Sequence, residues 1–123
     1  MRIDLSWPPA LLSPNARAHW GSKATAVKAY RRQCWAIASA SRGGEVECPV
    51  HMTVIFHPPD KRRRDRDNMI AAMKAGMDGL ADALGVDDRH FVPTYRVGDP
   101  VEGGRVSIQI TSAIRVPFKG EIS

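Results

Sequence analysis

The stretch Val50-His51-Met52-Thr53-Val54-Ile55-Phe56-His57-Pro58-Pro59 decides the reading of the fold. Its apolar and β-branched residues Val50, Met52, Val54, Ile55 and Phe56 suit a strand at the centre of a sheet. The two prolines, which cannot donate to a ladder, end it. A basic segment follows, Lys61-Arg62-Arg63-Arg64, and then the period changes. From about Asp67 to Leu84, Met69, Ile70, Met73, Met77, Leu80 and Leu84 gather on one face at 100° per residue, which predicts a helix. Gly85 stands just past its last turn, where a left-handed residue closes helices. Gly76 and Gly79 cost that helix stability, so they point to close approach of another backbone or a partner helix.

Working outward, Arg2 to Ser6 alternate apolar and polar around Ile3 and Leu5 and read as a short strand ended by Pro8-Pro9. Residues 8–21 form a loop centred on Ser13-Pro14-Asn15. Between Ser22 and about Ser41, Ala26, Val27, Tyr30, Cys34, Ile37 and Ala38 recur at steps of three and four. That spacing predicts a helix with Ser22 as its N-cap and Arg42-Gly43-Gly44 as its stop. Downstream of Asp87-Asp88, Phe91 to Val97 and Arg105 to Ile110 read as strands, with 98–104 between them as a hairpin loop. The tail from about residue 113 carries weak signals and is expected to fray. The order strand, helix, strand, helix, strand, strand implies a single α+β domain over 1–123, with a mixed sheet packed by two main helices.

A chain of 123 residues with 43% hydrophobic content is large enough for one core and too apolar for general disorder. Eighteen Lys+Arg against 13 Asp+Glu leave a net charge of +5, which suits a polyanionic partner. Cys34 and Cys48 have no metal-ligand spacing and are expected as two buried thiols in a reducing cytoplasm, in preference to a disulfide. The start holds a lone Arg2, then Asp4 and a proline pair, unlike a signal peptide, and no window approaches a membrane span. The expected location is cytoplasmic, with no membrane partner.

Chemistry concentrates in Arg62-Arg63-Arg64-Asp65-Arg66-Asp67-Asn68. Two carboxylates one residue apart converge when the chain turns between them, and convergent oxygens are what a hard divalent cation requires. Asp67 has a second reading, as a cap or first-turn residue favoured by the helix dipole, and both can hold. Lys74 and Asp78 share the helical stripe of Asp67. Lys74 therefore either reaches towards Asp67 or pairs with Asp78 at i,i+4, the commoner outcome from pattern alone. Asp87-Asp88 is a polar turn unless the strand from Phe91 lies beside the one ending at Phe56, which would bring Asp88 near Asp65. His51 and His57 have no pattern that makes them ligands, and His90, two residues after Asp88, either reaches the outer shell of a metal there or stays exposed, the commoner outcome. His19 and Trp20, in the loop, either stack on a base or cover an edge of the core.

Together, the proline-ended strand, Arg-Arg-Arg-Asp-Arg-Asp-Asn, the helix with Lys74-Ala75, Met77-Asp78-Gly79-Leu80, and Gly85-Val86-Asp87-Asp88 closely resemble the RusA Holliday-junction resolvases of bacteria and their prophages. Trp7-Pro8-Pro9, Asn15, Arg17 and Ala29-Tyr30-Arg31 resemble the same family's opening, so the likeness runs from about residue 3 to residue 110. It implies a homodimeric endonuclease that uses Mg²⁺, with Mn²⁺ as the alternative ion, to nick symmetrically related strands of a four-way junction in DNA recombination and repair. It also implies that Asp65, Asp67 and Asp88 are the metal-holding catalytic acids. The family's helix lysine falls three residues after the motif asparagine, where this chain has Ala71; Lys74, three residues later, is its candidate replacement. Lys61, Arg62, Arg63, Arg64 and Arg66, with Asn15 and Arg17, are the expected DNA contacts, the arginines on backbone phosphates. The alternatives are a metal-dependent nuclease on other branched DNA and a non-catalytic DNA-binding protein.

Overall fold

Apolar alternation on β3 (Val50–His57) sets the architecture: Val50, Met52, Val54 and Phe56 are all buried, and strands pair along both its edges. The computed structural model describes residues 1–17, 19–41 and 45–112, and the backbone of 114–115. Around β3 lie β1 (Arg2–Leu5), β4 (Phe91–Val97) and β5 (Arg105–Ile110), in the sheet order β1-β5-β3-β4. β5 runs antiparallel to both β1 and β3, whereas β4 runs parallel to β3 with Val50 opposite Phe91 and Phe56 opposite Val97. Parallel neighbours need a long return connection. Helices α2 (Arg66–Ala72) and α3 (Lys74–Leu84) supply it, and α1 (Trp20–Ser41) packs against α3. The expected α+β fold with a mixed sheet and packed helices is what the chain adopts.

The helix pair meets at the predicted glycine. A Cβ on Gly79 would run into the Arg31 carbonyl and lie 3.0 Å from the Trp35 nitrogen, so glycine alone lets the two backbones pass this closely. Beside the contact, Arg31 grips Asp82 through two bonds of 2.8 and 2.9 Å. Tyr30, also on α1, is buried and donates its hydroxyl to the Ser6 carbonyl at 2.6 Å, tying the helix to the loop after β1.

Several expectations are corrected. The 98–104 connection is not a hairpin loop, because β3 stands between β4 and β5. It crosses the end of β3, with Gly98 N–H bonded to the Phe56 carbonyl at 2.8 Å and Val101 N–H to that of Pro58 at 2.9 Å. The most apolar strand takes the central position, where both of its edges are paired. The helix expected from Asp67 to Leu84 is interrupted at Met73, which ends α2 and precedes α3 with φ −84° and ψ −5°, while Gly85 closes α3 at φ +69° as expected. Helix α1 begins at Trp20, so Ser22 lies inside it, and the His19 ring accepts the Gly21 N–H at 3.1 Å in place of a serine cap. A small two-stranded sheet joins β2 (Glu45–Val46) to β6 (Ile114–Arg115), within the segment expected to fray. The Arg42-Gly43-Gly44 stop and the rest of the tail lie outside the described residues. Among the described residues, no helix is long and apolar enough to cross a membrane.

Both cysteines are free, but only Cys34 is buried; Cys48 is exposed, in the turn between β2 and β3. Burial pushes the Cys34 thiol up to about 11. At neutral pH a thiol reagent is expected to label Cys48 quickly and Cys34 only as the protein unfolds; two fast thiols would contradict this packing. Gly79→Ala is expected to lower stability by about 2 kcal/mol in urea denaturation, the scale of an overpacked core. Unchanged stability would mean that α1 and α3 do not meet there.

Candidate active site

Asp65 leaves the basic segment in an extended conformation, φ −78° and ψ 123°, and caps α2 by accepting the Asp67 N–H at 2.9 Å. The capping role therefore belongs to Asp65, and Asp67 sits in the first turn, where the helix dipole favours an anion. Both residues are exposed. The Asp67 carboxylate makes no hydrogen bond or ion pair among the described residues, and Asp65 spends one oxygen on the cap. Two exposed carboxylates with oxygens to spare stand at one helix end.

The neighbouring cations divide into two groups. Arg64, with a side chain only 17% exposed, binds Asp60 at 2.8 Å and lies over the Trp7 ring at 5.8 Å. Arg66 donates to the Tyr95 carbonyl at 2.8 Å and fastens α2 to β4. These two arginines hold the protein together. Lys61 and Arg63 are exposed and have no ion-pair partner among the described residues, and Arg62 is 80% exposed with a 3.4 Å contact to Asp60. Asp60 was missed in the sequence, although its i,i+4 spacing to Arg64 was there to be read. The Arg64 guanidinium, then the Arg62 N–H, hold its carboxyl down at about 2.

Lys74 opens α3, and its ammonium bridges two acids, Asp78 at 2.9 Å and Asp88 at 2.8 Å. The i,i+4 pairing expected from pattern is present, and Asp88 joins it. Asp88 lies in a 3-10 turn, Asp88–His90, whose cap is Asp87, so the turn role falls to Asp87 and leaves Asp88 for Lys74. The hydrogen bond from Lys74 holds the Asp88 carboxyl below its usual range, and the bond to Asp88, then that to Asp78, raises Lys74. The exposed Ala71 on α2 supplies no charge.

The strand from Phe91 does lie beside β3, but Asp88 does not join Asp65 there. The parallel register sets the start of β4 against Val50, the end of β3 away from Phe56. Lys74 follows Asp67 by seven residues, with the break at Met73 between them. Asp65 with Asp67, and Lys74 with Asp78 and Asp88, are two separate groups on one helical return. Among the described residues, no three His, Cys, Asp or Glu side chains form a metal-sized cluster.

Asn15 lines a groove with Arg62, Arg63, Arg64 and Asp65, whereas Arg17 is exposed and does not line it. Trp20 is 78% exposed and stacks on His19 at 5.9 Å, so it does not cover the core. His57 is fixed by the Asp99 carbonyl at 2.8 Å, His51 pairs within the sheet, and His90 closes the Asp88 turn.

An α+β domain with spare carboxylates beside unpaired cations is of the class that can share a divalent ion with phosphate. No family model matches the chain. It is 40% identical over 123 residues to an uncharacterized protein of Xylella fastidiosa, covering 96% of this chain and 80% of that one. It is 33% identical over 119 residues to the crossover junction endodeoxyribonuclease rusA of Enterobacteria phage 82, and 34% identical over 116 residues to RusA of Escherichia coli. Each of these two matches covers 89% of this chain and 92% of the relative. The chain belongs to the RusA family.

The Lys74 pairing sets a pH signature. A depressed folded pKa at Asp88 contributes stability above the unfolded carboxylate value, and that contribution disappears as pH falls through the folded one. Lys74→Ala is expected to return Asp88 towards an ordinary aspartate pKa of about 3.9 in a carboxyl NMR titration. An Asp88 titration that does not move would show that the ion pair does not persist in solution.

Proposed function

We propose that this protein is a Mg²⁺-dependent endodeoxyribonuclease that resolves four-way DNA junctions by paired symmetric nicks, in recombination and repair in the cytoplasm. One observation carries the reading: Asp65 and Asp67 keep unneutralised carboxylate oxygens beside Arg62 and Arg63, in a chain of the RusA family. The relatives' printed name, crossover junction endodeoxyribonuclease, supplies the substrate class and the reaction.

The donor set suits Mg²⁺ of one kind. Magnesium is commonly held by one or two carboxylates, with phosphate and water completing the shell, and it does not need an all-protein cage. Asp65 and Asp67 match that requirement; Asp88, ionised and held by Lys74, belongs to the second group farther along the return. When bound, the ion would activate water and stabilise the departing oxygen of the phosphodiester; Mn²⁺ would suit the same oxygens.

The chain's own residues do the rest. Lys61, Arg62 and Arg63 take backbone phosphates and orient the strand without reading its sequence. The cap bond from the Asp67 N–H fixes the Asp65 carboxylate at the helix end. Lys74, already carrying its proton firmly, would offer a cation to a strand that extends from the Asp65 pair to the second group. One site cuts one strand, so paired nicks call for two sites related by a twofold axis, as in a C₂ homodimer.

Asp67→Asn tests the reading, because it keeps the side-chain shape and removes the charge. Junction binding is expected to persist while Mg²⁺-dependent nicking falls by about 10²-fold or more. Undiminished nicking by the variant would overturn the assignment. Junction binding without nicking, in the unaltered protein as well as the variant, would favour a DNA-binding protein that is not an enzyme.

A further inference from the structure

A cavity of about 500 Å³ opens beside Asp65, between the amino-terminal loop, the end of β3 and α2. That volume is in the range of small-ligand sites. Its apolar lining includes Trp7, Phe56 and Met69, of which Phe56 and Met69 are buried. Its polar lining includes the exposed Asn15, Arg62, Arg63 and Asp65, with Asn68 and Arg64 half-buried. The wall is built rather than incidental. Trp7 meets Phe56 edge-on at 6.1 Å and carries the Arg64 guanidinium on its face. On the other side it packs so closely on Gly104 that a Cβ there would lie 2.8 Å away. Arg64 is in turn fixed by Asp60.

The ligand that fits must have a flat apolar face, a hydrogen-bonding edge, and an anion that stays outside. The Arg64 charge is met by Asp60, so an anion is left to the exposed Arg62 and Arg63. An apolar peptide side chain would leave the amides of Asn15 and Asn68 without a use. A nucleobase satisfies each condition: its face lies on the apolar wall, its edge meets the amides, and its phosphate remains at the mouth on Arg63. We infer that this cavity receives one nucleobase unstacked from the strand whose phosphate lies at Asp65. The inference rests on the nuclease reading and adds a base-holding site to it. Extracting a base from intact duplex costs stacking and pairing, and that cost falls where pairing is already disturbed. The cavity would therefore favour branched DNA over continuous duplex.

The test uses the whole protein and synthetic four-way junctions in which one nucleotide at a time near the cut is replaced by 2-aminopurine or by an abasic unit. Ca²⁺ replaces Mg²⁺ for the fluorescence measurements and Mg²⁺ is used for the rates. At one position, binding is expected to change 2-aminopurine emission at least twofold, and the abasic unit to slow nicking by about tenfold, the scale of one lost base stack. Ala10→Trp, on an exposed turn residue that lines the cavity, fills the space. It should abolish the emission change and reduce the abasic effect to less than about twofold. Asn15→Ala, in an exposed loop, removes one edge contact without crowding the fold and should weaken both signals. Emission unchanged at every position, or an abasic effect equally large in the filled variant, would overturn the inference. If the unaltered protein nicks nothing, the nuclease reading fails, and the emission change still decides whether a base enters the cavity.

Discussion

Parallel pairing of β3 with β4 is the constraint from which the site follows. A strand cannot lie parallel to its neighbour unless the chain first travels back along the sheet, and here the return is α2 followed by α3. Asp65 begins that return, Lys74 stands in its middle, and Asp88 ends it. The helices must also bury their apolar faces, and this brings α3 against α1 closely enough to require glycine at position 79. Arg66 fastens the start of the return to β4 through the Tyr95 carbonyl, so the acid-bearing end of α2 is held against the sheet.

Charge along this return is divided by task. Asp60, Arg64 and Trp7 form a fixed post beside the acids, and Lys74 joins Asp78 to Asp88 farther along. These pairs lie at or near the surface, where single ion pairs contribute little stability, so their value is in orienting groups. Left exposed at the start of this return is a short run, Lys61 to Arg63, next to carboxylates that no cation neutralises among the described residues. The net charge of +5 describes attraction in general, whereas Arg64 and Arg66 are committed to contacts within the fold.

Periodicity made most of the fold legible. Alternation over 50–57, the helical stripe from Met69 to Leu84, the closing Gly85 and the close-contact role of Gly79 were all readable because each reflects a local rule. Topology was not. Nothing local in residues 98–104 distinguishes a hairpin from a connection that crosses the end of a third strand, because the choice depends on which strand takes the centre. The break at Met73 was hidden for a related reason: the apolar stripe continues across it, so the pattern does not register the interruption. Pairing of Glu45–Val46 with Ile114–Arg115 joins short segments distant in sequence and leaves no periodic trace.

Within the candidate site, local sequence names candidate residues but does not say how they group. The sequence pattern and family resemblance singled out Asp65, Asp67, Asp88 and Lys74. Register decides that Asp88 arrives at Lys74 and that the Asp65 pair stands apart. The most direct measurement is cleavage of a synthetic four-way junction beside a linear duplex of the same sequence, with Mg²⁺ supplied and withheld. Symmetric, Mg²⁺-dependent nicks on the junction alone are the expected result; equal cutting of the duplex, or nicking that persists without any divalent ion, would contradict it.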